Sequence, residues 1–237
     1  MISFIVPAHN EEAWVGRCVS AIRNGAESLG EPYEIIVVDD GSSDATASIA
    51  QQQGAQVVRV EHRQIAATRN TGAQQAHGDI LFFVDADTLA SAPAIQSALC
   101  SIRAGAVGGG CVPRFEGWLP WWGRLTEPLI GPAMRLARFL PSGTFLFCTR
   151  SAFQTTGGFD ENYFAWEEVW FVAALKRQGR FAILAETVVT SGRKFREHSF
   201  WSISRLCMHL ILRRSRALRS RKGLEYWYEP ERGKVKL

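Results

Sequence analysis

Ile80-Leu81-Phe82-Phe83-Val84-Asp85-Ala86-Asp87 is an apolar run closed by two carboxylates. Its five leading residues leave no polar face, so they describe a short strand buried on both sides. Strands of that kind belong to parallel sheets covered by helices. Upstream, Ile2–Pro7, Glu34–Val38 and Val57–Val60 are further short strands. Between them lie helical patterns. Glu11–Asn24 carries Trp14, Val15, Cys18, Val19 and Ile22 at helical spacing, Ala45–Gln53 follows a loop rich in Asp and Ser, and Gln64–Ala76 is stopped by Gly78. Strand and helix thus alternate with short joins, which predicts an α/β fold with a Rossmann-like, mostly parallel sheet flanked by helices.

Downstream the alternation loosens. Ala92–Ala104 reads as a helix and Ala106–Val112 as a strand containing Gly108-Gly109-Gly110. Gly117–Leu140, rich in Trp, Pro and Gly, reads as a long excursion with one helical piece over Leu129–Phe139. Thr144–Cys148 is a strand, Ser151–Thr156 a helical turn and Glu168–Gln178 a helix stopped by Gly179. Phe181–Leu184 and Thr187–Val189 read as two short strands, and Ser199–Leu218 as a helix with an apolar stripe through Phe200, Ile203, Leu206, Leu210 and Ile211.

Composition narrows the class. The chain has 237 residues, 46% hydrophobic and 21% charged, enough for one large domain with a sizeable core. A disordered chain, a coiled coil and a disulfide-stapled miniprotein are excluded. The net charge of +4 is uneven: 193–222 holds ten basic residues and one acidic one, so it carries +9 and the remainder −5. That describes an acidic-leaning body with a basic distal stretch, and no nucleic-acid binder. Five scattered cysteines without a CxxC pair suit a reducing compartment. Ile2-Ser3-Phe4-Ile5-Val6 follows Met1 directly and reads as a strand, not a signal peptide. No apolar run reaches the roughly 18 residues of a spanning helix. The expectation is a cytoplasmic protein, with peripheral contact at the membrane inner face as the alternative.

Parallel sheets bind ligands at the carboxyl ends of their strands. There the sequence places Pro7-Ala8-His9-Asn10-Glu11, Asp39-Asp40 and Asp85-Ala86-Asp87. Neither GxGxxG after the first strand nor GxxxxGK[ST] occurs, which argues against a dinucleotide dehydrogenase and a P-loop enzyme. Two carboxylates at the edge of an apolar core need a cation or donors to neutralise them. Mg²⁺ or Mn²⁺, held by Asp85 and Asp87 and completed by substrate phosphates, meets that need; helix capping is the competing role. Asp39 and Asp40 suit loop formation, leaving one free to accept from a base or a ribose. Arg63 and Arg69 are both candidates for a diphosphate, and Asn70 and Gly72 beside Arg69 favour Arg69.

Pro7-Ala8-His9-Asn10-Glu11-Glu12, Val37-Val38-Asp39-Asp40-Gly41-Ser42-Ser43-Asp44, Ala67-Thr68-Arg69-Asn70-Thr71-Gly72 and Phe83-Val84-Asp85-Ala86-Asp87 together resemble the successive motifs of family-2 glycosyltransferases, in order and spacing. Gly157-Gly158-Phe159-Asp160-Glu161 and Trp166-Glu167-Glu168 resemble that family's acceptor-side and base motifs. The resemblance implies a GT-A fold and an inverting, metal-dependent transfer of sugar from a nucleotide-diphosphate donor to an acceptor hydroxyl. It implies that Pro7, Ala8, His9 and Glu11 line the base and ribose pocket. Asp40 would read the base, with Asp39 mainly structural. Arg69 would steady the nucleotide or diphosphate, Asp85 would face ribose and metal, and Asp87 would hold Mn²⁺ or Mg²⁺. The base matches Glu168, where the family usually has Asp, and Glu167 is the fallback.

The implied division is a nucleotide-sugar half over 1–111, an acceptor and base half over 112–198, and a basic helix and tail over 199–237. UDP-sugars are the favoured donors, with GDP-sugars as the alternative; the acceptor is unassigned, and a lipid-linked one is among the candidates. Trp118, Trp121 and Trp122 suit sugar stacking, a lipid interface or ordinary packing. Arg213-Arg214-Ser215-Arg216 at the end of the last helix suits solvent or an anionic membrane. His198 is a candidate for the diphosphate, the metal or the surface. Two other functions compete: a sugar-phosphate nucleotidylyltransferase, which would want a Gly-rich loop where Pro7–Glu12 has none, and a non-catalytic nucleotide-binding relative.

Overall fold

The computed structural model describes residues 1–136, 143–193 and 196. Its elements run β1 (Ile2–Ala8), α1 (Val15–Glu27), β2 (Tyr33–Asp40), α2 (Thr46–Gln52), β3 (Gln56–Val60), α3 (Ile65–Gln75), β4 (Ile80–Val84), β5 (Thr88–Leu89) and α4 (Ala92–Arg103). The second half adds β6 (Gly108–Glu116), α5 (Trp121–Leu136), β7 (Phe145–Thr149), α6 (Arg150–Thr156), α7 (Glu167–Gln178) and β8 (Phe181–Ser191). All eight strands form one sheet in the order β3-β2-β1-β4-β7-β6-β8-β5. β3, β2, β1 and β4 pair in parallel, as does β6 with β8, while β7 and β5 join antiparallel.

Side-chain alternation along β1 splits the core between the sheet's two faces. Phe4, Val6 and Ala8 pack with Val15, Cys18, Val19 and Ile22 of α1 and with Ile95 and Leu99 of α4. Ile5 points the other way, into a core with Ala66 and Ala73 of α3 and Phe171, Val172 and Leu175 of α7. Phenylalanines anchor both sides. Phe4 and Phe82 stack at 4.9 Å on one face, and Phe159 and Phe171 at 4.2 Å on the other. Each fully buried ring contributes about 1.5–3 kcal/mol. Pro7 sits inside a central strand without penalty. Its pairing is with β2, while the β1–β4 ladder ends at Ile5↔Phe83, so no bond on that side needs the missing N–H.

Three departures from the sequence reading fall downstream of β4. The helix expected over Leu129–Phe139 begins at Trp121, with Pro128 and Pro132 inside it, and residues beyond 136 are outside the described set. Trp121 and Trp122 therefore stand on a helix and not in a loop. The two strands expected at Phe181–Leu184 and Thr187–Val189 are one strand, because Leu184, Ala185 and Glu186 stand opposite Cys111 alone and the ladder then resumes. β5, two residues long, went unread. β6 runs continuously through residue 111, so the sheet passes without a break from one implied half to the other. The expected helix over Ser199–Leu218, Arg213, Arg214, Arg216 and His198 lie outside the described residues.

Candidate active site

Because β1, β2 and β4 are parallel neighbours, their carboxyl ends share one edge of the sheet. The turn after β1 and the loop after β2 are tied together there. Asn10 takes a left-handed conformation at φ 54°. Its Oδ1 accepts the Ser43 backbone N–H at 2.8 Å, and its own N–H goes to Ser42 Oγ at 2.9 Å. The Glu11 N–H donates to Thr46 Oγ1 at 2.8 Å. Pro7 and Ala8 are buried in β1.

His9 is fixed at this edge. Its Nδ1 lies 2.9 Å from the Asp40 carbonyl oxygen, which can only accept, so Nδ1 carries the proton. Nε2 then accepts from Arg63 Nη1 at 2.9 Å and from Asn10 Nδ2 at 3.1 Å. Burial, and next the Arg63 guanidinium, hold the His9 pKa below its ordinary value, in keeping with a neutral ring.

Asp39 and Asp40 are both buried. Asp39 Oδ1 accepts the Ser42 N–H at 3.2 Å. Asp40 Oδ1 accepts the Arg63 N–H at 2.7 Å, and Oδ2 accepts the Gln64 N–H at 3.0 Å and the Thr68 hydroxyl at 2.9 Å. Asp40 thus satisfies donors at the start of α3, which have no partner within the helix. The expected division of labour, Asp39 structural and Asp40 free for the base, is not the one these bonds describe.

Arg69 also departs from expectation. It is 1% exposed and faces no open surface. Nη1 donates to Glu167 Oε1 at 2.6 Å, and Nη2 to Asp85 Oδ1 at 2.8 Å and to the Gly143 carbonyl at 3.3 Å. Burial works against its charge, but the Asp85 and Glu167 carboxylates outweigh it and hold the pKa above the ordinary arginine value. The residue read as a diphosphate ligand is a buried bridge from the end of β4 to the start of α7.

Beside that bridge is Glu168, in the first turn of α7. Burial, then the adjoining Glu167 carboxylate, raise its pKa well above the ordinary range, while Arg69 works in the opposite direction. The preceding Trp166 is left-handed at φ 61°, uncommon for a bulky residue and the kind of local strain found at functional sites. The loop before it is stitched to α3: Asn70 Nδ2 donates to the Phe159 carbonyl at 2.9 Å and to Glu161 Oε1 at 2.8 Å, and the Phe159 N–H returns a bond to Asn70 Oδ1 at 2.9 Å.

Asp87 is partly exposed and accepts from Thr190 Oγ1 at 3.3 Å. Glu11 Oε1 accepts from Arg193 Nη2 at 2.6 Å. Cys18 reports how close these acids are: burial, then the Asp87 and Asp85 carboxylates and finally Glu11, push its thiol upward, and its Sγ lies 3.6 Å from the Asp85 carbonyl. Asp85 retains a side-chain exposure of 26% despite the bond to Arg69. Among the described residues no group of three or more His, Cys, Asp or Glu side chains forms a closed metal cage. Two partly exposed carboxylates at one rim fit a hard divalent cation of the sort that takes its remaining ligands from water and phosphate.

The sequence reading missed Gln64, Thr190 and Arg193, and it singled out Asn70 beside Arg69 without its contacts to the 159–161 loop. Arg193 meets Glu11 across 182 residues, a distance no local pattern reveals. For Gln64 and Asn70 there was a signal. α3 buries Thr68, Arg69 and Asn70 among alanines, and a helix of small and polar residues lacking an apolar stripe is one whose polar groups have partners elsewhere.

Residues 3–159 match the glycosyl transferase family 2 profile. The chain is similar to the dolichyl-phosphate beta-glucosyltransferase of Drosophila melanogaster, 40% identical over 101 residues, which cover 36% of this chain and 30% of that protein. It spans less than a third of the length of the curated relatives it matches. Among solved structures, a mannosyltransferase from Pyrobaculum calidifontis in complex with GDP-Man and Mn²⁺ superposes with TM-score 0.64 at 22% identity, covering 92% of this chain and 64% of that one. Glucosyl-3-phosphoglycerate synthase from Mycobacterium tuberculosis, in complex with Mn²⁺, UDP and glucosyl-3-phosphoglycerate, also gives 0.64 at 22%, covering 90% and 79%. At that identity the likeness shows the fold alone, and the fold is GT-A.

Proposed function

Because the chain belongs to glycosyl transferase family 2, we propose that it is an inverting, metal-dependent transferase that moves a sugar from a nucleoside diphosphate to an acceptor hydroxyl. The observation that carries this reading is the single guanidinium joining Asp85, on the donor side, to Glu167, next to the proposed base. Donor carboxylate and base helix are thereby neighbours at one rim.

In this reading Pro7, Ala8, His9, Glu11, Asp40 and Asp85 form the nucleotide wall, with uridine the first base to test and guanosine the second. Neutral His9 presents an imidazole without charge beside Arg63. Asp85 and Asp87 hold Mn²⁺ or Mg²⁺, which when bound neutralises charge on the departing diphosphate. Glu168 takes the acceptor hydroxyl's proton as the oxygen bonds to the anomeric carbon; the bond from that carbon to the diphosphate breaks, and the nucleoside diphosphate leaves with the electron pair. A raised pKa suits Glu168 to this, since a stronger base shares the proton earlier in the displacement. Glu167, committed to Arg69, is the poorer candidate.

The acceptor we favour is lipid-linked, met by a peripheral protein at the inner face of a membrane. Support comes from α5, where Trp121, Leu125 and Leu129 recur at helical spacing and, with Trp118, are each at least 66% exposed. Arg114 and Arg124 stand exposed nearby in sequence, and 193–222 adds its +9. Tryptophan and leucine recurring along one helix, in a chain whose distal stretch is basic, suit an anionic interface. No helix among the described residues is long and apolar enough to cross a membrane.

The test is a donor screen that follows nucleotide release with Mn²⁺, first to water and then to a polyprenyl-diphosphate-linked sugar, whose hydroxyls can accept. Release from a UDP- or GDP-sugar, accelerated by the lipid, is expected. Nucleotide binding without release from any donor would instead identify a non-catalytic relative. A sugar 1-phosphate and nucleoside triphosphate yielding pyrophosphate would identify the nucleotidylyltransferase.

A further inference from the structure

Arg69 has the features of a strut. We propose that it is a positioning residue of the transfer reaction, holding the base-bearing turn of α7 at a set distance from the donor-side carboxylate of β4, and that it makes no contact with the nucleotide. This rests on the transferase reading above.

Four observations carry it. First, the guanidinium is enclosed: three of its contacts are the oxygens of Glu167, Asp85 and Gly143, and its carbon lies 5.2 Å from the centre of the Phe159 ring. Second, its Nε is buried and has no hydrogen-bond partner among the described residues, while its two terminal nitrogens are both bonded. Third, both terminal nitrogens hang on one planar carbon. The separation of Asp85 from Glu167 is therefore set by covalent geometry, which a flexible lysine with one nitrogen cannot reproduce. Fourth, the chain at Gly143 is pressed onto the fork: a Cβ there would come within 2.6 Å of Nη2 and 3.2 Å of Cζ, leaving the guanidinium nowhere to retreat. A buried ion pair is a poor way to gain stability, since apolar residues of equal volume often do as well. A fixed geometry is what this arrangement supplies. Glu168, one residue along the same turn, inherits it.

The experiment measures UDP affinity by calorimetry and kcat and KM for transfer in Arg69→Lys, Arg69→Met and Gly143→Ala, with Mn²⁺ present throughout. Gly143→Ala and Arg69→Lys leave a cation in the core, so they keep the test open should Arg69→Met fail to fold. The expected result is a UDP Kd within about threefold of wild type and a kcat lower by about 10²-fold, the scale of a 1 Å misplacement. The double variant Arg69→Met/Glu167→Gln should fall little below Arg69→Met alone, because both remove one strut. A UDP Kd weakened tenfold or more with kcat preserved would overturn the proposal and return Arg69 to the nucleotide. A wild-type protein that turns over no donor fails differently: it removes the transferase reading, and this proposal with it.

Discussion

Thr68 Oγ1 lies 2.9 Å from the Asp40 carboxylate, whose two oxygens also receive the backbone N–H groups of Arg63 and Gln64. A side chain at the end of one strand thus seats the helix that carries Arg69. Asp40→Ala strands the Arg63 and Gln64 N–H groups, each costing about 1–3 kcal/mol, while the Thr68 hydroxyl keeps the Gln64 carbonyl as an acceptor at 2.8 Å. Urea melts should show a loss of roughly 2 kcal/mol or more, with Asp40→Asn between that and wild type. A loss below about 1 kcal/mol would show that water replaces the carboxylate without strain.

The same helix depends on a close approach further along. A Cβ at Gly72 would come within 2.4 Å of Ile5 Cγ2 and 2.9 Å of Val38 Cγ2. Alanine's better helix propensity favours Gly72→Ala by at most about 1 kcal/mol. Overpacking against two strands costs about 1–3 kcal/mol, and here the neighbours are β-branched and fixed. The variant should be net destabilised, seen as a lower denaturation midpoint with an unchanged slope.

Glu168→Gln should abolish transfer while sparing UDP binding. It should also stabilise the protein at neutral pH. With its pKa raised on folding, Glu168 contributes stability that is present below the unfolded value and lost as pH rises through the folded one. Glutamine cannot ionise, so the advantage of Glu168→Gln grows from acid toward neutral pH. At this chain length each kcal/mol recovered moves Tm by about 2–4 °C. In the wild type the acid limb of kcat should lie above the ordinary carboxylate range. Equal melting of the two proteins across pH 4–8 would contradict the burial of a titrating Glu168.

On α5, Trp121→Ser and Leu125→Ser should each reduce co-sedimentation with phosphatidylglycerol vesicles several-fold and leave hydrolysis of a soluble donor unchanged. Binding should weaken with salt, as basic residues contribute. Unaltered sedimentation would mean that this face meets something other than lipid.

The sheet up to β4 was legible because each strand and helix there obeys its own period, and Asp or Gly marks the ends. The carboxylates at the strand ends could be read because acids rarely follow a buried strand without a purpose. α5 was hidden by Pro128 and Pro132, local breakers overridden by the surrounding helix. β8 was split by its bulge at Leu184, Ala185 and Glu186. The role of Arg69 was out of reach altogether. Its type and place on α3 were plain, but its partner Glu167 is 98 residues away, and nothing local distinguishes a buried fork from a solvated one.

β8 ends against the acidic edge, where Ser191 N–H meets the Asp87 carbonyl and Arg193 meets Glu11. A ribosome has released the Asp40 and Asp85 motifs long before it makes these two latches. The growing chain therefore carries its strand-end motifs, from Pro7 to Asp87, for more than a hundred residues while this edge stays unclasped, until the distal strand comes home.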